Sequence, residues 1–408
     1  MGVISTSITS LGIAAGLVCV GLFAAGESGC ASAERARPQA TTSTTSATVN
    51  LSRVRRPRPP ARYVVPRNAM RVSSSSQLSA ALSDGRQEAI VLAPGVYDNS
   101  RPFDDREGDR IYASRLGRAV FRAGISIGGN NGPPGALIRG LNFSIRDPRK
   151  TLHGDAIHVW GTASGTAVLD TWIDGHGVLD AGLVVHQPNG FVARRIVARR
   201  FLGYGVVVDP NDFNFKTRYP YSLRDLTISR VSRRVPGSSN GTAEACLWLG
   251  SPGVVQRVSV RGCAISGIWT GTAMRNSRIQ DVRIDRAKVG IYIEHFTTAT
   301  TFQRLRIGPS VTRGVNAEWA NPAAGGKPAS VDNVIRDAYF RTTHVGVYLD
   351  RGTTRTTVRH SVFSGQDWAG IGDFFGVDND YYDNNFDGIA AGAVPVSHDH
   401  DPAGRAKR

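Results

Sequence analysis

The sequence predicts an all-β protein built as a single-stranded, right-handed parallel β-helix, a solenoid of about ten coils of ~23 residues with a short N-terminal cap helix. Three observations carry this reading. A glycine or other small residue followed by a short β-branched run recurs down the chain. The recurrence keeps a period near 23 residues. No segment between the runs shows the 3.6-residue periodicity of a helix, so βαβ units are excluded.

The runs are DAIHVW at 155–160, GLVVH at 182–186, GVVVD at 205–209, ACLWL at 245–249, GIWTG at 267–271, GIYIE at 290–294, GVNAE at 314–318, GVYLD at 346–350, GIGDF at 370–374 and GIAAG at 388–392. From Gly182 the steps are 23, 40, 22, 23, 24, 32, 24 and 18 residues, so two long insertions interrupt the base period. A second short strand precedes many of them, as in RRIVARR at 194–200, VQRVSV at 255–260, IQDVRI at 279–284 and FQRLRI at 302–307. A leucine-rich repeat would show a Leu-x-x-Leu-x-Leu frame, which is absent. Strand alternation turns Ile291 and Ile293, or Val347 and Leu349, inward, stacked on the next coil ~4.8 Å away.

The 408 residues divide into four sections. Residues 11–26, LGIAAGLVCVGLFAAG, are short of the ~20 residues that span a membrane and suit a signal-peptide core. Ala31-Ser32-Ala33 supplies a cleavage site, which makes residues 1–33 an export signal and the protein secreted or cell-surface. Cys30 after Gly29 leaves a lipoprotein signal or retained anchor, and so a membrane tether, as the competing reading. Residues 34–62 read as a linker: ATTSTTSAT at 40–48 and the basic, Pro-rich RVRRPRPPAR at 53–62 cannot build a core. The solenoid is expected over residues 63–392 and a frayed tail, including SHDHD at 397–401, over 393–408.

The net charge is +16, with 44 Arg among the 49 basic residues. Residues 34–71 hold nine Arg against the single acid Glu34, so that segment supplies about half of the excess. Aromatic residues elsewhere are mixed with acids rather than bases, which argues against nucleic acid as a partner. No phosphate-binding glycine loop, G-x-S-x-G elbow or cysteine zinc frame is present, which argues against nucleotide cofactors. Cys246 and Cys263 sit in apolar, strand-like surroundings and are expected as two buried free thiols, although an exported pair can also form a disulfide.

The third and fifth residues of each run face outward. Down the stack the fifth position reads Trp160, His186, Asp209, Leu249, Gly271, Glu294, Glu318, Asp350, Phe374 and Gly392. The third reads His158, Val184, Val207, Leu247, Trp269, Tyr292, Asn316, Tyr348, Gly372 and Ala390. Glu294, Glu318 and Asp350 thus fall on consecutive coils, beside Trp269, Tyr292 and Tyr348. Two carboxylates ~4.8 Å apart repel by roughly 3.5 kcal/mol at an effective dielectric of ~20. Splaying, pairing with Arg275, Arg313 or Arg351, a bound Ca²⁺, or retention of one proton would relieve that repulsion. The last two are what catalytic sites use; a solvated acidic ladder paired with arginine is the other reading. Carboxyls ~5 Å apart suit retaining glycosidases, and ~9.6 Å lies at the upper limit for inverting ones. Asp209 joins these acids as a fourth catalytic candidate. Insertions follow Asp209 and Glu318, bringing Tyr219 and Trp319 as walls of a groove; His186 and Arg351 complete the candidate substrate contacts.

AIVLAPGVY at 89–97, preceded by the helix-like QLSAALSDG at 77–85, resembles the N-terminal cap of pectate-lyase-like parallel β-helix proteins, and the repeats over 63–392 resemble that superfamily's coils. Lyases, hydrolases, epimerases, esterases and non-catalytic adhesins share this fold, so the resemblance speaks to fold more than to activity. Asp209-Pro210-Asn211-Asp212 resembles the Asp-Pro-His-Asp/Glu signature of β-helix alginate epimerases, with Asn211 in place of the histidine. WIDGH at 172–176 resembles the Trp-Ile-Asp-His strand of pectate lyases with Gly175 inserted; there, neighbouring acids bind Ca²⁺ and an arginine takes the proton, but no matching Arg-x-Pro-x-x-Arg follows. The resemblance implies an exported enzyme that cleaves or modifies an extended polysaccharide or cell-wall glycan, of hydrolase, lyase or uronan-epimerase type. The basic scaffold favours an anionic polymer, the missing arginine motif favours hydrolysis, and Asp209-Pro210-Asn211-Asp212 keeps uronate chemistry open. The alternative is a non-catalytic, adhesin-like surface protein that binds glycan in the same groove. Oligomeric state is not legible.

Overall fold

The computed structural model describes residues 64–128, 135–160, 165–210, 219–232, 245–271, 274–294, 296–317 and 330–399. The expected export signal and linker, Glu318, Trp319, Asn211 and Asp212 lie outside the described residues. Among the described residues, twelve strands form one parallel sheet, here called the front sheet. Nineteen form a second, the back sheet, and Thr297–Thr298, Ser330–Val331 and Thr353–Thr354 form a short third. Every named strand pairs in parallel with the strand one coil away, as a solenoid requires.

At the N-terminal end a helix, Ser75–Ala81, starts at Ser74, whose side chain accepts from the Gln77 N–H. It buries Leu78 and Ala81 over the first coil. The strands Ala89–Leu92 and Gly95–Tyr97 follow where the cap was expected, and the Tyr97 hydroxyl reaches the Val72 and Ala93 carbonyls.

The front sheet runs through Asp155–Val159, Ala181–His186, Tyr204–Asp209, Ala245–Leu249, Ser266–Thr270, Ala287–Ile293, Val311–Ala317, Val345–Leu349, Ala369–Asp373 and Val394–Ser397. Ile268, Ile291, Val315, Val347 and Ile371 pair in register and are fully buried, so the inward column is the expected one. The coil glycine just before it has a packing reason. A Cβ on Gly205, Gly290, Gly314 or Gly346 would stand 2.2–2.9 Å from an inner side chain of the back sheet (Ile228, Ile307, Phe340 and Phe363). Glycine and its successor therefore both turn inward, and the residue before the glycine emerges on the outer face.

Strict alternation fails again in the back sheet. Asp170, Arg195, Asp225, Arg257, Asp281, Arg304, Asp337, His360 and Asp383 succeed one another from coil to coil, each with φ between +50° and +59°. Cross-coil ion pairs hold this left-handed column: Arg195 to Asp170, Arg257 to Asp225, and Arg304 to Asp281, each through two nitrogens. Bidentate guanidinium–carboxylate pairs compensate a backbone conformation that asparagine or glycine would adopt more easily.

Three expectations are corrected. Cys246 and Cys263 form a disulfide rather than two free thiols. Cys246 occupies the coil-glycine position, opposite Gly205, and its inward Cβ reaches the end of the back-sheet strand Gly253–Cys263. That cysteine also shifts the register: Leu247 and Leu249 pair with Val206 and Val208 and are buried, and Trp248 is the outward residue. Finally, GIAAG at 388–392 is not a front strand. Gly388 closes the back-sheet strand Asn385–Gly388, and Ile371 pairs with Val396, so Val394–Ser397 adds a rung within the stretch expected as tail.

Candidate functional site on the front face

The outer face of the front sheet gathers its titratable groups at the first coils. Asp155 and His158 come from one strand, His186 from the next and Asp209 from the third. His158 and Asp155 are both buried, and Asp155 Oδ2 lies 2.7 Å from His158 Nδ1. One coil further, His186 Nδ1 stands 3.4 Å from Asp209 Oδ2. The two histidine rings are 5.0 Å apart, and Trp160 packs at 4.3 Å from His158 and 5.2 Å from His186. His153, exposed at the mouth, closes the ring cluster at 5.5–5.6 Å.

The hydrogen bonding assigns His158 its tautomer. A carboxylate accepts, so Nδ1 carries the proton and Nε2 presents a lone pair. Nε2 is buried and makes no hydrogen bond. Burial, reinforced by the His186 ring, pushes His158 down to about 3, so the imidazole stays neutral. His186 and Asp209 are more open, with side-chain exposures of 16% and 24%. The first pair is buried, and the second is the pair a solvent-borne ligand can reach.

Beyond an apolar belt of Ala181, Val184, Tyr204, Val207 and Trp248 lies a second cluster. Trp269 Nε1 donates to Glu294 Oε2 at 3.1 Å, and the Trp269 and Tyr292 rings meet edge-on at 5.3 Å. Gly271 keeps the space between them open, because a Cβ there would meet the Trp248 indole nitrogen at 2.9 Å and Glu294 Oε2 at 3.1 Å. Glu294 and Asp350 stand on the expected column, two coils apart, with the intervening Glu318 outside the described residues. Asp350 Oδ1 accepts from the Arg351 N–H, and the Arg351 guanidinium lies over Phe374 and Phe375. Tyr348 is covered: Trp368 and the Arg313 guanidinium pack on it, which leaves it 3% exposed. Tyr219 is half-buried just before the back-sheet strand Tyr221–Val231.

The structure thus brings Asp209 and His186 together, and Trp269, Tyr292 and Glu294 together, as two groups rather than one ladder. Sequence reasoning did not assign Asp155, His158, Trp160 and His153 to the site. Asp-x-x-His in GDAIHVW was the available signal, but alternation puts residues three apart on opposite faces.

Glu294 is engaged by an indole N–H and Asp350 by a backbone N–H. Among the described residues no group of three or more His, Cys, Asp or Glu is placed to hold a metal.

No protein-family model and no curated protein sequence matches the chain. Solved structures do. The catalytic unit of a thermostable GH87 α-1,3-glucanase from Streptomyces thermodiastaticus is 12% identical, with a TM-score of 0.55 over 83% of this chain and 69% of that one. A variant of the PL6-family alginate lyase AlyGC is 13% identical, with a TM-score of 0.52 over 82% of this chain and 52% of that one. At such identities the likeness shows the fold alone: the chain is a right-handed parallel β-helix.

Proposed function

We propose that the protein is an exported enzyme that acts on an extended, anionic polysaccharide laid along the front face, with proton transfer at the His186–Asp209 pair. The observation that carries this is the cluster Asp155–His158–His186–Asp209, seated among Trp160 and His153 on three consecutive coils. Each carboxylate faces a histidine, an arrangement suited to moving a proton more than to the two-carboxylate chemistry of glycoside hydrolysis. Elimination or epimerisation, in which a proton leaves the carbon beside a uronate carboxylate, is therefore favoured over hydrolysis. His186 takes the proton from the carbon beside the carboxylate, with Asp209 stabilising its charged form. In elimination the adjacent C–O bond breaks and the proton passes to the leaving glycosidic oxygen; in epimerisation water returns a proton to the opposite face of the carbon. His158, oriented by Asp155 and packed 5.0 Å from the His186 ring, holds that ring in position.

Aromatic faces at Trp160, Trp248, Trp269 and Tyr292 supply stacking for successive sugars, and Glu294 and Arg351 polar contacts beyond them. Coils ~4.8 Å apart repeat on about the scale of a sugar residue. The substrate class is carried over from two proteins that share the fold, named for glucan and alginate. Export is supported by the Cys246–Cys263 disulfide, which persists in oxidising compartments.

The test is a panel of uronans, glucans, arabinans and wall polymers incubated with the purified full chain. Absorbance at ~235 nm reports the unsaturated product of elimination, reducing ends report hydrolysis, and NMR of the uronate protons reports epimerisation. Turnover of a uronan without hydrolysis is expected. Binding without turnover across the panel would instead favour a glycan-binding surface protein.

A further inference from the structure

A second set of polar groups converges away from the front face. The back-sheet strands Ala119–Phe121 and Asn142–Ser144 end beside one another, and the chain turns there toward the front sheet. The turn bounds a cleft of about 500 Å³ lined by Asp98, Arg122, Ser144, Arg146, Asp147 and Lys150. Its acids are already engaged. Lys150 Nζ sits 2.8 and 3.0 Å from the two Asp98 oxygens. Asp147 takes two hydrogen bonds of 2.9 Å from Arg149. The Arg122 and Arg146 guanidinia have no ion-pair or hydrogen-bond partner among the described residues.

The wall behind Ser144 fixes one more donor. An Arg200 nitrogen lies 3.0 Å from His176 Nδ1 and can only donate, so Nδ1 accepts and the ring proton sits on Nε2. Nε2 lies 2.9 Å from Ser144 Oγ and donates to it, which leaves the serine's own proton free for the cleft. Burial lowers His176, with Arg200, Arg146 and Arg199 adding and Asp174 opposing, in keeping with a neutral ring. Asp174 is itself occupied: burial raises it, but Arg200, the His176 N–H and Arg199 together bring it down to about 2.

We propose that this cleft binds an oxyanion, the carboxylate or sulfate of an acidic glycan, between the Arg122 and Arg146 guanidinia with the Ser144 hydroxyl as third donor. Planar, forked guanidinia suit such groups, and the cleft offers unpaired donors and no unpaired acid. This site shares no residue with the front-face histidine cluster and does not rest on its assignment.

The experiment is calorimetric titration of the full chain with sodium sulfate, a galacturonate oligomer and a neutral malto-oligosaccharide. The wild type is compared with the Arg122→Gln/Arg146→Gln double variant, whose two side chains are exposed, and with Ser144→Ala. The expected result is one saturable site for sulfate and for the acidic oligomer, none for the neutral one. Affinity is expected to weaken at least tenfold in the double variant and severalfold in Ser144→Ala. Unchanged affinity in the double variant, or no anion binding to the wild type, would overturn the site; binding of sulfate alone would overturn its assignment to a glycan. His186→Ala is expected to keep anion binding while losing turnover, so this proposal and the front-face reading fail separately.

Discussion

Asp155 and His158 lie three residues apart on one strand, yet meet at 2.7 Å on the same outer face. The reversal comes from the coil-glycine position between them, held here by Ala156, where two successive residues turn inward before alternation resumes. The consequence is a histidine with one tautomer. Asp155→Asn removes the charged acceptor and offers an amide N–H in its place. With a charge-assisted hydrogen bond worth about 1.5–3 kcal/mol, the His158 ring is loosened against His186, and kcat is expected to fall about 10-fold while KM changes less. Steady-state kinetics and the pH profile of kcat on whichever polymer is turned over measure the split, and an unchanged kcat and pH profile would remove His158 from positioning His186.

The ladder in the back sheet predicts a contrast between two arginines. Asp225 is almost wholly buried and takes two nitrogens of Arg257, with Arg194 3.6 Å away nearer the surface, so Arg257→Ala is expected to cost about 3 kcal/mol by removing the close partner of a buried charge. Arg355 also pairs with Asp332 through two nitrogens but in the open, and Arg355→Ala is expected to leave the unfolding midpoint almost unchanged. Urea unfolding of both variants decides; equal losses would contradict the account.

The disulfide predicts a redox dependence of stability. It closes a 17-residue separation across the turn from front to back sheet. Reduction, or Cys246→Ser, is expected to cost about 3 kcal/mol. Unfolding midpoints with and without reductant measure this, and a Cys246→Ser variant should no longer respond to reductant.

Near the cap, Asp109 predicts a pH dependence. Its Oδ1 accepts from the Glu88 N–H at 2.6 Å, whereas Oδ2 is buried with no hydrogen bond. Burial, with Asp105, Asp84 and Glu88 adding and the Glu88 N–H opposing, pushes its carboxyl up to about 7 from an ordinary 3.8. The folded state then holds a proton that the unfolded chain has released. Its contribution is full below about pH 4 and gone above about pH 7. Between those limits the wild-type Tm should fall relative to that of Asp109→Asn; parallel curves would contradict the assignment.

The inward stack was legible because Ile291 and Ile293, or Val347 and Leu349, obey plain alternation after a visible glycine. Legibility failed wherever that marker was disguised. Cys246 stands in for the glycine of its coil, so Trp248 was hidden behind two leucines. Ala156 does the same before His158. The left-handed column of Asp and Arg carries no local signal, because its partners lie a whole coil apart. Asp209, His186, Trp269, Tyr292 and Glu294 were placed on the outer face by position alone, but which of them meet depends on the side chains of neighbouring coils.

The most direct test of the front-face account is the kcat of His186→Ala and Glu294→Gln on the polymer that the wild type turns over. Removal of the proton-transfer group is expected to lower kcat about 10²- to 10⁴-fold, with Glu294→Gln changing mainly KM. A His186→Ala kcat within twofold of the wild type, or a loss confined to Glu294→Gln, would contradict it.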